Sequence, residues 1–86
     1  MYKLYFKRSV KRDLKKIGES ESLRILKAIK EKLLLNPSKG KPLKGKDGTL
    51  WSFRVGDYRV LYNFNNKELI VLIIKISHRK QIYKKK

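Results

Sequence analysis

Cysteine, acidic side chains and long apolar runs are missing or scarce in this 86-residue sequence. The absence of cysteine excludes a disulfide framework and thiolate-bound zinc. The longest apolar run, Leu69 to Ile74, has the length of a strand and is far shorter than the ~20 residues of a membrane span. The N-terminus lacks the apolar region of a signal peptide. We therefore expect one small cytoplasmic domain with an ordinary apolar core, no metal, no cofactor and no membrane association.

The shortage of acidic side chains leaves 7 Asp and Glu against 24 Lys and Arg, a formal net charge of +17. Such an excess destabilises a compact chain through self-repulsion and is typical of proteins that bind a polyanion. A lysine-rich thermophile proteome is the alternative explanation, but such chains gain glutamate together with lysine. Hydrophobic residues make up 41% of the chain, which is too many for a disordered one. The composition predicts a folded domain that binds nucleic acid.

The first third of the chain has the pattern of one strand followed by two helices. Tyr2 to Phe6 predicts a short strand. Apolar residues then recur at helical spacing in two segments, at Val10, Leu14 and Ile17 and at Leu26, Ile29 and Leu33. Gly18 ends the first helix, and Ser20 is the expected N-cap of the second, which stops before Asn36-Pro37. The two helices predict a helical hairpin.

Residues 37–48 predict a loop, because glycines and Pro42 interrupt any regular pattern there. The lysines of this loop are Lys39, Lys41, Lys44 and Lys46. Backbone flexibility combined with positive charge suits binding to a phosphate backbone. We expect a mobile basic arm, with a solvated linker as the alternative.

From residue 51 onward, apolar and polar residues alternate at period two, which predicts a meander of three strands. One face of the meander carries Trp51, Phe53, Val55, Tyr58, Val60, Tyr62, Phe64, Leu69, Val71 and Ile73. This apolar face should pack against the two helices. The opposite face is mixed, with Ser52, Arg54, Arg59, Asn63, Leu61, Ile70 and Leu72.

Turn chemistry sets the expected register of these strands. Gly56-Asp57 is typical of a two-residue hairpin turn, so Arg54 should stand directly opposite Arg59. A second turn at Asn65-Asn66 places Leu72 beside Arg59 by the same counting. The hairpin therefore predicts two fixed cations side by side on one sheet face.

The third strand runs on to His78 and Arg79, and Tyr83 follows four residues later. Guanidinium groups clamp phosphate, and a histidine can transfer a proton near neutral pH. His78 is the only histidine of the sequence. Together with the arginine pair of the hairpin, this ending suggests a site that cuts RNA.

Three features together resemble the RelE/ParE toxin superfamily. They are the order strand, helix, helix and three-stranded meander, the hairpin FRVGDYRV at 53–60, and the ending HRKQIY at 78–83. The resemblance spans nearly the whole chain and implies a single RelE-like toxin domain over residues 1–86. The implied fold class is α+β, a RelE-like microbial RNase-type fold. Its N-terminal strand and two-helix hairpin pack on a small, mainly antiparallel sheet, and a basic C-terminal tail follows.

The resemblance also implies a function, that of the toxin of a type II toxin–antitoxin system. The RelE branch of the superfamily consists of ribosome-dependent endoribonucleases that cleave mRNA in the decoding site. It implies that a ribose 2′-hydroxyl attacks the adjacent phosphorus without a metal. The partners implied are the ribosome, mRNA and a cognate antitoxin.

The family's catalytic positions carry over to this sequence residue by residue, at Arg54, Arg59, His78, Arg79 and Tyr83. The arginines would stabilise the transition-state charge, and Tyr83 would orient the substrate or take part in proton transfer. Lysines outside this set would bind ribosomal RNA phosphates, namely Lys39, Lys41, Lys44, Lys46, Lys80, Lys84, Lys85 and Lys86.

Two departures from the family leave the general base open. Ser52 stands where the best-known RelE branch has a lysine, and the glutamate base of another branch has no counterpart near this loop. Two alternatives stay open for the general base: it is His78, or Lys44 and Lys46 of the loop enter the site and serve in its place. Two other functions also stay open, a ParE-like toxin that inhibits DNA gyrase and a non-catalytic nucleic-acid-binding module.

Overall fold

The chain forms two layers, a pair of helices on one face of a sheet. A computed structural model describes residues 1–43 and 50–78. Within these residues the strands are β1 (Lys3–Phe6), β2 (Lys41–Pro42), β3 (Trp51–Val55), β4 (Tyr58–Asn65) and β5 (Ile70–His78). The helices are α1 (Arg8–Ile17) and α2 (Glu19–Ala28), which continues as a π-helical segment, Ile29–Leu33, and a 3-10 turn spans Pro37–Lys39. The α+β class is confirmed, with an N-terminal strand and a two-helix hairpin packed on the sheet.

The helical hairpin turns within a single residue. Gly18 has φ +102°, a value that side-chain-bearing residues rarely adopt, so α2 begins immediately after it. The predicted end of α1 at Gly18 is therefore confirmed, while the prediction of Ser20 as the N-cap is wrong because Ser20 already lies in the first turn. Glu19 and Glu21 in that turn are favourable at the positive end of the helix dipole.

The strand order is β1-β5-β4-β3-β2. β1 pairs with β5 in parallel, and all other neighbours are antiparallel. The β3–β4 hairpin has the predicted register, with Val55 opposite Tyr58 and Arg54 opposite Arg59. Local turn chemistry was sufficient to predict this register, since Gly56 has the positive φ of +58° that this tight turn requires.

The β4–β5 connection differs from the prediction of a turn at Asn65-Asn66. The turn spans residues 66–69, and the Asn65 side chain accepts hydrogen bonds from the backbone N–H groups of Lys67 (2.8 Å) and Glu68 (3.0 Å). These bonds stabilise a longer turn of the Asx type. Leu69 ends this turn with φ +55° and is 46% exposed, so its predicted place on the apolar face is wrong.

A β-bulge then shifts the register once more. Tyr62 pairs with Ile73, whereas Leu61 pairs with Lys75, so Ile74 is the extra residue of β5. As a result Ser77, and not Leu72, lies opposite Arg59, and Leu72 pairs with Asn63.

The core lies between the helices and the apolar face, here named the inner face. Its fully buried side chains are Val10, Ile25, Ile29, Leu33, Val60, Tyr62, Val71 and Ile73. The predicted core position of Trp51 is confirmed, because it packs against this cluster with its ring centroid 5.2 Å from that of Phe64. The sheet face opposite the helices is named the outer face.

Candidate nucleic-acid interface

Arg54 and Arg59 form a cationic pair on the outer face. Each follows from strand alternation, because the neighbours Phe53, Val55 and Val60 point into the core. Like charges directly opposite each other destabilise a strand pair. A bound anion between the two guanidinium groups would relieve that repulsion.

Two lysines of the 37–43 segment join this pair. A cavity of about 460 Å³ on the outer face is lined by Lys39, Lys41, Arg54 and Arg59, together with Gly40, Leu43, Ser52 and Phe53. Among the described residues that line it there is no acidic side chain. Four cations around one cavity are an arrangement that attracts anions such as phosphate.

Tyr62 holds the lysine segment against the sheet. Its side chain is fully buried, and its hydroxyl donates a 2.5 Å hydrogen bond to the carbonyl oxygen of Pro37. Burial raises the pKa of Tyr62 to about 12, and a hydrogen bond with the Gly40 backbone lowers it in part. The hydroxyl is therefore neutral at physiological pH and remains a hydrogen-bond donor.

Gly40 is required by this close approach. A Cβ atom at Gly40 would collide with the Tyr62 hydroxyl and would lie 2.5 Å from the carbonyl oxygen of Ser52. Lys41 then pairs with Ser52 as part of β2. The expected mobile arm is thus wrong for residues 37–43, which are fixed to the sheet edge by Tyr62 and by strand pairing.

His78 ends β5 opposite Tyr58, and the two rings meet edge to face at a centroid distance of 5.2 Å. The register places both on the inner face, whereas Arg59 lies on the outer face. His78 lines a separate cavity of about 330 Å³ together with Asp13, Lys16 and Tyr58. The structure brings His78 to the same end of the sheet as the arginine pair, on the other side of it.

Asp13 completes the edge of β5 beside this cavity. Its carboxylate accepts a 3.1 Å hydrogen bond from the backbone N–H of Ile76 and lies 4.0 Å from the ammonium group of Lys75. β1 ends at Phe6, opposite Ile73, so this part of β5 has no strand on that side within the described residues. The Asp13 carboxylate therefore accepts a hydrogen bond that a neighbouring strand would otherwise accept from the Ile76 N–H.

Ser77 is a neighbour of the arginine pair that sequence reasoning missed. It is 5% exposed, and its hydroxyl has no hydrogen-bond partner among the described residues. Arg54, Arg59 and Ser77 form one row across β3, β4 and β5. No sequence signal indicated this row, because the bulge at Ile74 sets it.

The other candidate residues lie outside the described residues, and they are Arg79, Tyr83, Lys44, Lys46, Lys80, Lys84, Lys85 and Lys86. The C-terminal tail predicted to be basic lies there too. Within residues 1–43 and 50–78, no group of three His, Asp or Glu side chains is placed to hold a metal ion. In the same part of the chain, no helix is both long and apolar enough to cross a membrane.

Comparison with known proteins gives consistent matches over most of the chain. Residues 4–83 match the family described as ParE toxin of type II toxin–antitoxin system, parDE. Toxin RelG of Mycobacterium tuberculosis is 33% identical over 89 residues, covering 98% of each chain.

Solved structures show the same architecture. The toxin–antitoxin complex RelBE2 from Mycobacterium tuberculosis contains a chain with a TM-score of 0.83 and 29% identity, covering 91% of this chain and 98% of that one. The isolated RelE toxin of E. coli has a TM-score of 0.75 at 21% identity, covering 98% and 93%. The latter likeness shows the fold alone, and the fold is RelE-like.

Proposed function

We propose that this chain, which belongs to the family of ParE toxins of type II toxin–antitoxin systems, is an endoribonuclease. Residues 1–86 act as one toxin domain that cleaves mRNA in the ribosomal A site and so inhibits translation in the cytoplasm. The observation that carries the proposal is the outer-face cavity with four cations, Lys39, Lys41, Arg54 and Arg59. The negative charge of a phosphodiester complements these four cations.

The proposed reaction is attack of a ribose 2′-hydroxyl on the adjacent phosphorus. The bond from phosphorus to the 5′-oxygen breaks, leaving a 2′,3′-cyclic phosphate and a free 5′-hydroxyl. Arg54 and Arg59, fixed on neighbouring strands, stabilise the additional negative charge of the pentacoordinate transition state. Fixed guanidinium groups carry this stabilisation, so the reaction requires no metal.

Proton transfer is assigned to the residues around this pair. One group removes the proton of the 2′-hydroxyl and another protonates the leaving 5′-oxygen. His78, Arg79 and Tyr83 are the candidates from the C-terminal end of the chain, and Lys44 and Lys46 are the alternatives for the base. His78 lies on the inner side of the sheet, so an RNA strand must pass the end of the sheet for this histidine to serve as the base.

The ribosome and an antitoxin are the proposed macromolecular partners. A surface with a net charge of +17 suits ribosomal RNA, and docking there would hold the message in the in-line geometry that cleavage requires. RelBE2 of Mycobacterium tuberculosis is a toxin–antitoxin complex. By analogy, a cognate antitoxin neutralises this chain.

Cell-free translation of a defined message tests the proposal, with cleavage sites mapped by primer extension. The wild-type protein should cut within the decoded codon, and Arg54→Ala or Arg59→Ala should lower the cleavage rate by about 10²–10³-fold. Lys67→Ala is the matched control, because Lys67 is an exposed cation in the turn at the opposite end of the sheet. Thermal unfolding confirms that each variant is folded.

A gyrase inhibitor is the second candidate function, favoured by the match of residues 4–83 to the ParE toxin family. A DNA supercoiling assay on the same preparations separates the two. Inhibition of supercoiling by a folded wild-type protein that leaves the message intact would replace the ribonuclease proposal. Failure of both assays would leave a nucleic-acid-binding module without catalysis.

A further inference from the structure

Arg54 lines a second cavity besides the outer-face one. This cavity, of about 320 Å³, is lined by Arg24, Lys27, Ala28, Glu31 and Lys32 from the second helical segment and by Phe53, Arg54, Val55 and Gly56 from β3 and its turn. It lies beside the part of β3 that β2 leaves uncovered, since β2 pairs only with Trp51 and Ser52. The two cavities adjoin through the Arg54 side chain.

The charge of the second cavity is strongly positive. Arg24, Lys27, Lys32 and Arg54 face it against one carboxylate, that of Glu31. Lys30, which lies between Lys27 and Lys32 in sequence, is exposed but does not line the cavity. The cations are thus gathered at the cavity and do not merely follow the composition of the helix.

Arg24 has a defined position against the hairpin turn. A Cβ atom added at Gly56 would lie 3.3 Å from Nη2 of Arg24, so the guanidinium group rests on the glycine. Its ion pair with Glu21 is long, at 3.5 Å, and solvent-exposed. Such a pair contributes little, and the guanidinium group keeps donors for a ligand.

We propose that Arg24, Lys27 and Lys32 form a second phosphate-binding subsite for the RNA strand whose scissile phosphate lies between Arg54 and Arg59. The inference rests on the proposed function and extends it to a neighbouring nucleotide. A single strand repeats its phosphate at every nucleotide, so two adjoining cationic cavities that share Arg54 suit one continuous backbone.

The course of this strand also reaches His78. Arg24 and Gly56 line a third cavity, of about 220 Å³, together with Glu21, Asp57, Tyr58 and His78. The concavities therefore follow one another from the outer face, around the β3–β4 turn, to the inner face. An RNA strand that continued from the second cavity past the β3–β4 turn would approach His78 beside the carboxylates of Glu21 and Asp57.

Salt-dependent binding of a short, single-stranded 2′-O-methyl RNA tests the subsite, because this RNA lacks the attacking hydroxyl and is not cleaved. Fluorescence anisotropy gives the affinity at several salt concentrations. The double variant Arg24→Ala/Lys27→Ala should flatten the slope of log K against log salt by about 1.4, which is two charges at ~0.7 each. The control Lys30→Ala/Lys67→Ala removes equal charge from positions outside the cavity and should change the slope far less.

Cleavage in the translation assay provides the second readout. Across a series of ribosome concentrations the Arg24→Ala/Lys27→Ala variant should keep the wild-type maximal rate and show only a raised KM, because the subsite holds a flanking phosphate and not the reacting one. Equal salt slopes for the two double variants would overturn the subsite. The subsite would also be overturned if the Arg24→Ala/Lys27→Ala variant bound an acidic antitoxin more weakly while its RNA binding was unchanged.

The two proposals fail separately. A flattened slope for the Arg24→Ala/Lys27→Ala variant, combined with a wild-type protein that cuts no message, supports the subsite and removes the ribonuclease function. A slope that is unchanged in the Arg24→Ala/Lys27→Ala variant, combined with normal cleavage by the wild type, removes the subsite and supports the ribonuclease function. Thermal unfolding of both double variants excludes misfolding as the cause.

Discussion

The two faces of the β3–β4–β5 sheet are built from the same strands and differ in burial and charge. The inner face carries fully buried side chains such as Val60, Tyr62 and Ile73. The outer face carries Arg54 and Arg59 in direct opposition. Since side chains alternate along a strand, residues adjacent in sequence either pack in the core or face away from it. Substitutions on the two faces should therefore separate stability from activity.

The largest expected difference in stability is between Ile73→Ala and Leu72→Ala. Ile73 is fully buried on the inner face, so its truncation should lower the free energy of unfolding by about 2–5 kcal/mol. Leu72, its neighbour, is only partly buried on the outer face. Leu72→Ala should therefore lower the free energy of unfolding by less than half as much as Ile73→Ala. Urea unfolding measures both, and equal losses would contradict the division between the faces.

Tyr62 allows a test of intermediate size, because it lies in the core and also holds residues 37–43 against the sheet. Burial raises its pKa to about 12 in the folded state, against about 10 when unfolded. Below pH 10 both states hold the proton, and above it the unfolded state ionises first, so stability falls as pH rises. At about pH 11 this loss should reach about 1 kcal/mol.

Tyr62→Phe is the control for that titration. The variant should be less stable than the wild type at neutral pH, because the Pro37 carbonyl oxygen loses its donor. The difference should shrink as the wild type loses stability at alkaline pH. Parallel unfolding free energies of the two proteins from pH 8 to pH 11 would show that Tyr62 titrates normally.

The smallest expected effect is a gain in stability on the outer face. Arg59→Gln removes one of two like charges that stand opposite each other, and this should raise the free energy of unfolding by about 0.2–1 kcal/mol at low salt. Added salt should reduce the gain, because it screens the repulsion in the wild type. Lys67→Gln removes a charge from a turn and serves as the control. A loss of stability in Arg59→Gln would mean that the pair already has a counter-charge in the folded protein.

Local chemistry made part of the site predictable. The Gly56-Asp57 turn fixes which residues of β3 and β4 face each other, so the Arg54–Arg59 opposition follows from four neighbouring residues. The helical hairpin followed in the same way from apolar spacing and from Gly18. The roles proposed for Arg54, Arg59, His78, Arg79 and Tyr83 stay predictions.

Features set by distant contacts were not predictable. Residues 37–43 have the composition of a loop, yet the Tyr62 hydroxyl, 25 residues away, binds Pro37 and fixes the segment. The row formed by Arg54, Arg59 and Ser77 depends on a longer turn and on a bulge at Ile74. Neither irregularity has a local signal as strong as that of Gly56-Asp57.

The positive charge, the helix and strand periods and the pairing within the β3–β4 hairpin could all be predicted, because each depends on composition or on neighbours along the chain. Three placements arise only from the folded chain: Lys39 and Lys41 join the arginine pair, Arg24 rests on Gly56, and His78 faces the other side of the sheet. These placements depend on how the core packs and on one extra residue in β5. A shift of one residue in strand register moves every later side chain to the opposite face.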